Sequence, residues 1–215
     1  MRRSMLLTNR DMEIIRFINE FGFCEMPQIE KRFSLKKPRG YKVIKRLIEA
    51  GLVVHEYVLR NKHGIYRLTR EGAECTDLPM LKYISLGSYL HQLTVVNVHL
   101  ELMQRFFNAT WISERRLKRD KFLEKGFYRI GHIADGMLVF PDDKKIAIEV
   151  ELTMKGKDRL DKIITGYALN RSIDGVWYFC APEIVNKVKN ISSWFKDVRV
   201  FGIDKLSLLS IYDFN

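Results

Sequence analysis

The sequence predicts an α+β protein of two domains, and three observations support this prediction. The chain has 215 residues, enough for two small domains that each bury a core. Its first part follows the order helix, helix, helix, hairpin, whereas its second part alternates strands with helices. Between the two parts, Thr76-Asp77-Leu78-Pro79 interrupts both patterns. We therefore predict one domain over residues 1–77 and a second over residues 78–215.

The balance of charge predicts a nucleic-acid partner. The chain has 37 lysines and arginines against 26 aspartates and glutamates, a formal net charge of +11. Such an excess favours a polyanion, with nucleic acid ahead of a membrane surface. A merely soluble basic protein is the alternative. We expect no membrane span, because no apolar run is long enough. Cys24, Cys75 and Cys180 lack the paired spacing of a zinc site, which predicts reduced thiols in a cytoplasmic protein.

The first domain has the element order of a winged helix. Thr8 is a good N-cap for a first helix that ends at Gly22, and Pro27 lies in the first turn of a second helix. A third helix is predicted from about Pro38 to Ala50, followed by Gly51. Two β-rich runs, residues 52–59 and 65–69, then form the wing.

Basic residues concentrate on the third helix and at the wing tip, where a winged helix meets DNA. A recognition helix needs long hydrogen-bond donors for phosphates and base edges. We expect Lys37, Arg39 and Lys42 to lie nearest the bases. A solvated basic face is the alternative interpretation. The candidate DNA contacts of this domain are Lys36, Lys37, Arg39, Lys42, Lys45, Arg46, Arg60 and Lys62.

The sequence of the second domain predicts a mixed sheet flanked by helices. Its elements follow the order α-β-β-β-α-β-α-β, beginning with a long helix over residues 88–107. The predicted strands cover residues 110–114, 136–140, 145–152, 175–180 and 198–203, and the later helices cover residues 158–170 and 182–195.

Three acidic residues on the predicted hairpin suggest a metal site. Apolar and polar residues alternate from Lys145 to Leu152, so Glu149 and Glu151 project from one face, about 7 Å apart. Asp135 precedes the neighbouring strand, and Pro141-Asp142-Asp143-Lys144 supplies the turn. Three converging carboxylates repel one another unless a cation neutralises them, and Mg²⁺ or Mn²⁺ suits oxygen ligands. The alternative is an edge hairpin with solvated acids.

A second basic cluster directly precedes this acidic hairpin. It consists of Arg115, Arg116, Lys118, Arg119, Lys121 and Lys125. We expect it to anchor the phosphate backbone of a nucleic acid beside the metal, with Arg115, Arg116, Lys118 and Arg119 as the candidate DNA contacts. A solvated loop is the competing interpretation.

These motifs resemble a known family. Asp135, a turn and then Glu149-Val150-Glu151 resemble the PD-(D/E)xK restriction-endonuclease-like core, in which lysine normally occupies the position of Glu151. The longer run 148–155, followed by Arg159 and Tyr167, resembles plasmid replication-relaxation and MOBC-type mobilisation proteins. The resemblance covers most of the chain and implies a winged helix followed by a nuclease-like domain.

The resemblance implies a relaxase, a metal-dependent endonuclease that nicks double-stranded DNA at a plasmid origin of transfer for conjugative mobilisation. Asp135 and Glu149 would be metal ligands, and Glu151 would be a third ligand or serve as a base. Lys155 would orient or charge the attacking water. The expected partners are plasmid DNA, a coupling protein or other relaxosome components, and a second copy of the chain. A DNA-binding accessory protein without activity and a transcriptional regulator are the alternatives. No His-x-His occurs, which disfavours the tyrosine route of other relaxases, although Tyr128 and Tyr167 are present.

Overall fold

The computed structural model describes residues 6–60, 62–125, 131–208 and 214, and it divides the chain into two compact units, residues 1–100 and 101–215. The division lies within one helix, further along the chain than the boundary predicted at residues 77/78. Across the described ranges, no helix is both long and apolar enough to cross a membrane.

Unit 1 has the element order of a winged helix. Its three strands form an antiparallel sheet in the order β1-β3-β2. The elements β1 and α4 are not predicted from the sequence, because three and five residues are too few to show a periodicity. The elements are α1 (Asn9–Phe21), β1 (Phe23–Glu25), α2 (Met26–Phe33), α3 (Arg39–Glu49), β2 (Val53–Glu56), β3 (Ile65–Leu68), α4 (Arg70–Glu74) and most of α5 (Tyr89–Arg105).

The start of α1 is tied to α3. Thr8 caps the helix as predicted: its Oγ1 accepts a hydrogen bond from the Asp11 amide at 3.2 Å, and Asp11 Oδ2 accepts one from the Thr8 amide at 2.8 Å. The other carboxylate oxygen of Asp11 pairs with the guanidinium of Arg46 on α3. Asp11 is fully buried, so this ion pair helps to position the third helix of the winged helix.

Unit 2 contains a five-stranded mixed sheet flanked by helices, which confirms the predicted α+β class. The strand order is β4-β5-β6-β7-β8, with antiparallel pairing from β4 to β6 and parallel pairing from β6 to β8. The elements are β4 (Thr110–Ser113), α6 (Glu114–Lys125), β5 (Gly136–Val139), β6 (Lys145–Glu151), α7 (Lys157–Ala168), β7 (Gly175–Cys180), α8 (Val185–Ser192) and β8 (Val198–Gly202).

The second basic cluster lies on a helix, α6, that the predicted element order omits. Residues 114–125 contain no glycine or proline, and glutamate, arginine, leucine and lysine are good helix formers. Ser113 begins the helix, because its Oγ accepts a hydrogen bond from the Arg116 amide at 3.3 Å. The solvated loop is therefore not what forms here.

The two faces of the sheet are covered differently. Ala147 of β6 belongs to a core cluster that includes Leu160 and Ile164 of α7 and Val188 of α8. The opposite face carries aromatic rings, with Trp177 lying 4.6 Å from Phe214 between ring centroids. Because side chains alternate along a strand, the acidic residues two and four positions after Ala147 point toward the helical layer of α7 and α8.

Candidate functional site

The hairpin of β5 and β6 brings Asp135 against β6. Gly136 pairs with Ile148 in the antiparallel register, so Asp135 lies next to the position of Glu149. The amide of Val150 donates a hydrogen bond to Asp135 Oδ2 at 2.8 Å. This arrangement holds one carboxylate over the strand that carries the other two.

A glycine beside Asp135 permits the close approach of the Trp111 ring. A Cβ atom at Gly136 would lie 2.1 Å from Cζ2 of the Trp111 ring, which packs against the glycine from β4. A distance this short cannot be accommodated without moving the indole or the strand. The first residue of β5 therefore has to be glycine as long as Trp111 keeps its position.

Glu149 is the buried centre of the site. Its side chain is only 1% exposed, and Oε1 lies 2.6 Å from Nε2 of His132. The hydroxyl of Tyr167, from α7, donates a hydrogen bond to the same oxygen. Within the described part of the chain, no hydrogen bond reaches Oε2. His132 and Tyr167 were not predicted as site residues, because an isolated histidine in a loop and an apolar-face tyrosine carry no distinctive spacing.

The environment of Glu149 disfavours its negative charge. Burial raises the pKa of this carboxyl above its ordinary value, and the neighbouring Asp135 raises it further. The hydrogen bonds from His132 and Tyr167 oppose these effects without cancelling them. An ionised Glu149 therefore gains stability from any cation placed beside it.

Glu151 has a different partner. Its carboxylate is 5% exposed and pairs with the ammonium group of Lys155, four residues later in the chain. Lys155 lies in the segment before α7. A lysine from the following segment thus brings positive charge next to the strand position where the PD-(D/E)xK pattern places its own lysine.

A buried hydroxyl next to these acids has no hydrogen-bond partner among the described residues. Tyr178 of β7 pairs in register with Glu149, and its side chain is fully buried. Its hydroxyl makes no hydrogen bond to any described residue. Burial first, and then the charges of Glu149 and Glu151, raise the pKa of Tyr178. A buried polar atom without a partner marks a place for an ordered water or ion.

These residues fit a cation held by two carboxylates. In the described ranges, no three His, Cys, Asp or Glu side chains come close enough together to hold a metal ion by themselves. Magnesium does not require three, because it keeps several waters and commonly takes one or two carboxylates together with substrate phosphates. Asp135 and Glu149 supply two such groups, whereas Glu151 is paired with Lys155. The metal ligand roles remain predictions.

The basic residues predicted on the winged helix all lie at the surface. The side chains of Lys36, Lys37, Arg39, Lys42, Lys45, Arg46, Arg60 and Lys62 are exposed. Lys45 lies 3.7 Å from Glu49, and Arg46 pairs with Asp11, so these two charges are partly neutralised. Among the described residues, Arg39 and Lys42 form no ion pair. They line a cleft of about 590 Å³ that also includes the start of α1.

The basic residues of α6 are more tightly paired than those of α3. Lys118 Nζ lies 2.6 Å from Glu114, and Arg119 lies 2.9 Å from Asp120. Arg115 and Arg116 are half-buried. The charge that α6 presents to solvent is therefore smaller than its composition indicates. Tyr128 lies outside the described residues.

Comparisons with known proteins add little to this geometry. No family model matches the chain, and no curated protein matches it. Among solved structures, protein VC1899 from Vibrio cholerae matches with a TM-score of 0.39 and 12% sequence identity, over 97% of this chain and 56% of that protein. This chain is thus little more than half as long as that protein, and a likeness this distant supports no argument about fold or function.

Proposed function

We propose that the protein binds double-stranded DNA through its winged helix and is a divalent-metal-dependent endonuclease, a relaxase acting at a plasmid transfer origin. The observation that supports this proposal best is the placement of Asp135, which immediately precedes β5, beside Glu149 of the adjacent strand β6. The transfer origin itself is suggested only by the resemblance of residues 148–155 to mobilisation proteins.

The winged helix supplies the DNA-binding part of the proposal. The polar side of α3 presents Arg39 and Lys42 without ion pairs among the described residues, and Arg60 and Lys62 extend the basic surface at the wing tip. A recognition helix of this kind enters the major groove, while the wing contacts neighbouring phosphates. Both contacts require exposed, long, positively charged side chains.

The acidic hairpin supplies the chemistry. Asp135 and Glu149 would hold Mg²⁺ or Mn²⁺, which when bound would lower the pKa of a coordinated water and stabilise the negative charge that develops on the phosphoryl oxygens. Lys155 is placed to offset the charge of Glu151, so that the site does not carry three uncompensated carboxylates. His132 is placed to hold a proton at Oε1 of Glu149.

A nicking assay tests the proposal. Supercoiled plasmid carrying the cognate origin is incubated with protein and Mg²⁺ or Mn²⁺, and relaxed product is measured. We expect nicking by the wild type, loss of nicking with EDTA, and loss of nicking in Asp135→Ala. Asp142→Ala, an exposed turn residue of the same hairpin, is the matched control and should remain active. Nicking that survives Asp135→Ala would contradict the proposal.

A second candidate is a DNA-binding accessory protein of replication or of the relaxosome, without activity of its own. The observation that favours it is that both strand glutamates already have protein partners, His132 and Tyr167 for Glu149 and Lys155 for Glu151. Binding to the origin without nicking under any metal supports this candidate. Binding to a promoter fragment alone supports a transcriptional regulator instead.

A further inference from the structure

An open cleft of about 700 Å³ lies in unit 2, next to His132 and Tyr167. It is bounded by α6, by the β5–β6 hairpin and by α7, and we call it the α6–α7 cleft. Its volume is within the range of sites that enclose a small molecule, about 300–1,000 Å³. In the proposed function, His132 and Tyr167 act only through their hydrogen bonds to Glu149, and the cleft itself has no role.

The α6–α7 cleft combines an apolar floor with a cationic rim. Leu117, Met137, Val139, Ile163 and Ile173 provide the floor. Among the described residues, the rim carries the positive groups of Lys121, Lys145, Arg159 and Lys162. Glu124 is the one carboxylate that the described lining contains. A ligand that matches both features has a flat apolar part and a separate anionic part.

The wall that α7 contributes is open because of a glycine. Gly166 lies in the third turn of α7, and a Cβ atom built there would meet nothing within 4 Å apart from its chain neighbours and the helix's own backbone. Glycine in a helix interior costs about 0.5–1 kcal/mol relative to alanine. The glycine therefore leaves open space in the cleft and does not contribute to packing between elements of the protein.

The apolar floor and the cationic rim together favour a nucleotide as the ligand. A purine or pyrimidine ring suits the apolar floor, and a phosphate suits Lys145, Arg159 and Lys162 at the rim. Paired DNA does not present its bases in this way, because they are stacked inside the duplex. An unpaired or extruded nucleotide does, and extrusion costs least where the strand is already single.

We infer that the α6–α7 cleft binds one unstacked nucleotide of a DNA strand, with its base on the apolar floor and its phosphate at the cationic rim. This inference rests on the proposed function in that the ligand is DNA. It adds that the second unit takes a single-stranded or locally opened region. Because His132 and Tyr167 link the cleft wall to Glu149, the bound nucleotide lies beside the acidic pair.

The test measures binding of a labelled single-stranded oligonucleotide by fluorescence anisotropy in EDTA, so that no cleavage occurs. The parent protein carries Arg39→Ala and Lys42→Ala, which weaken the winged helix. Adding Gly166→Leu fills the cleft and should weaken binding at least about tenfold, or roughly 1.4 kcal/mol. Thr165→Leu, at the exposed neighbouring position outside the cleft, is the matched control and should bind like the parent.

Three results would overturn the inference. The first is unchanged binding by a folded Gly166→Leu variant. The second, if that variant does not fold, is equal binding by Lys162→Ala and by Lys187→Ala, an exposed lysine of α8 outside the cleft. The third is displacement of the oligonucleotide by deoxyadenosine monophosphate at the same nucleotide concentration, which would make the ligand a free nucleotide rather than a strand.

The inference and the proposed function fail separately. Duplex binding and plasmid nicking are measured on the same Gly166→Leu variant without the winged-helix substitutions. If no variant nicks plasmid but Gly166→Leu still weakens single-strand binding, the proposed nuclease function is wrong and the inference about the cleft stands. If nicking is normal and Gly166→Leu does not change binding to single-stranded or duplex DNA, the inference about the cleft is wrong and the proposed nuclease function stands.

Discussion

Two buried tyrosines of unit 2 differ in their partners, and this difference can be measured. Tyr167 donates a hydrogen bond to Glu149, whereas the hydroxyl of Tyr178 has no partner among the described residues. We expect Tyr167→Phe to lower the free energy of unfolding by about 1.5 kcal/mol, because it leaves a buried carboxylate short of a donor. Tyr178→Phe, the matched control, should leave stability unchanged or raise it. Urea denaturation measures both, and equal losses would contradict the hydrogen-bond assignment.

Asp11 predicts a pH dependence for unit 1. Burial acts to raise the pKa of this carboxyl, but hydrogen bonds from Thr8 and the charge of Arg46 outweigh it, so the pKa lies below its ordinary value. The unfolded chain therefore binds the proton more tightly than the folded chain. The resulting stability is present above the unfolded pKa of about 3.9 and is lost as the pH falls through the lower, folded pKa.

We accordingly expect Asp11→Asn to be destabilised by about 1 kcal/mol at neutral pH and to lose this difference under strongly acidic conditions. Denaturation curves at the two pH values measure it. Asp161→Asn, an exposed carboxylate on α7, is the control and should match the wild type at both. A destabilisation of Asp11→Asn that does not depend on pH would show that its charge is not what stabilises α1.

At the scale of elements, α3 is expected to carry the contacts with duplex DNA. Lys42→Ala should weaken duplex binding several-fold and reduce the slope of log affinity against log salt by about 1, the effect of losing one phosphate contact. Lys187→Ala changes the same charge on α8 and should leave both quantities unaltered. Titrations of labelled duplex at several salt concentrations provide the comparison, and an equal effect of the two substitutions would contradict the role of α3.

Some elements of the fold can be predicted from the sequence, and others cannot. Thr8, Gly22 and the alternation along β6 predict α1 and the strand correctly, because caps and periodicity are local signals. The helix α6 was not predicted because it contains only three apolar residues, Leu117, Phe122 and Leu123, too few to show a helical periodicity. The partners of Glu149 escaped as well: Tyr167 lies eighteen residues away, and only the packing of α7 on the sheet brings the two together.

At the scale of the whole molecule, the net charge of +11 predicts binding that depends strongly on ionic strength. Each phosphate neutralised releases counterions, so affinity for any duplex should fall at least about tenfold between roughly 50 mM and 200 mM salt. Equilibrium binding to a cognate origin and to an unrelated duplex measures this. Binding that is insensitive to salt would indicate that the basic surface is not where DNA lies.

The α+β class and the mixed sheet could be predicted for the whole chain, since they depend only on the order of elements. The contact between Asp135 and β6 also followed from the hairpin, because register and turn determine it. The α6–α7 cleft could not be predicted, since a cavity depends on how side chains from several elements fail to fill the space between them.

The contact between Gly136 and Trp111 links two positions that lie far apart in the chain. Relatives of this protein that retain tryptophan at position 111 are expected to require glycine at position 136. A smaller residue at position 111 would allow other residues at position 136. Substitutions at the two sites should therefore occur together during evolution. In such relatives, the identity of residue 111 indicates whether the carboxylate of Asp135 still reaches its place on the neighbouring strand.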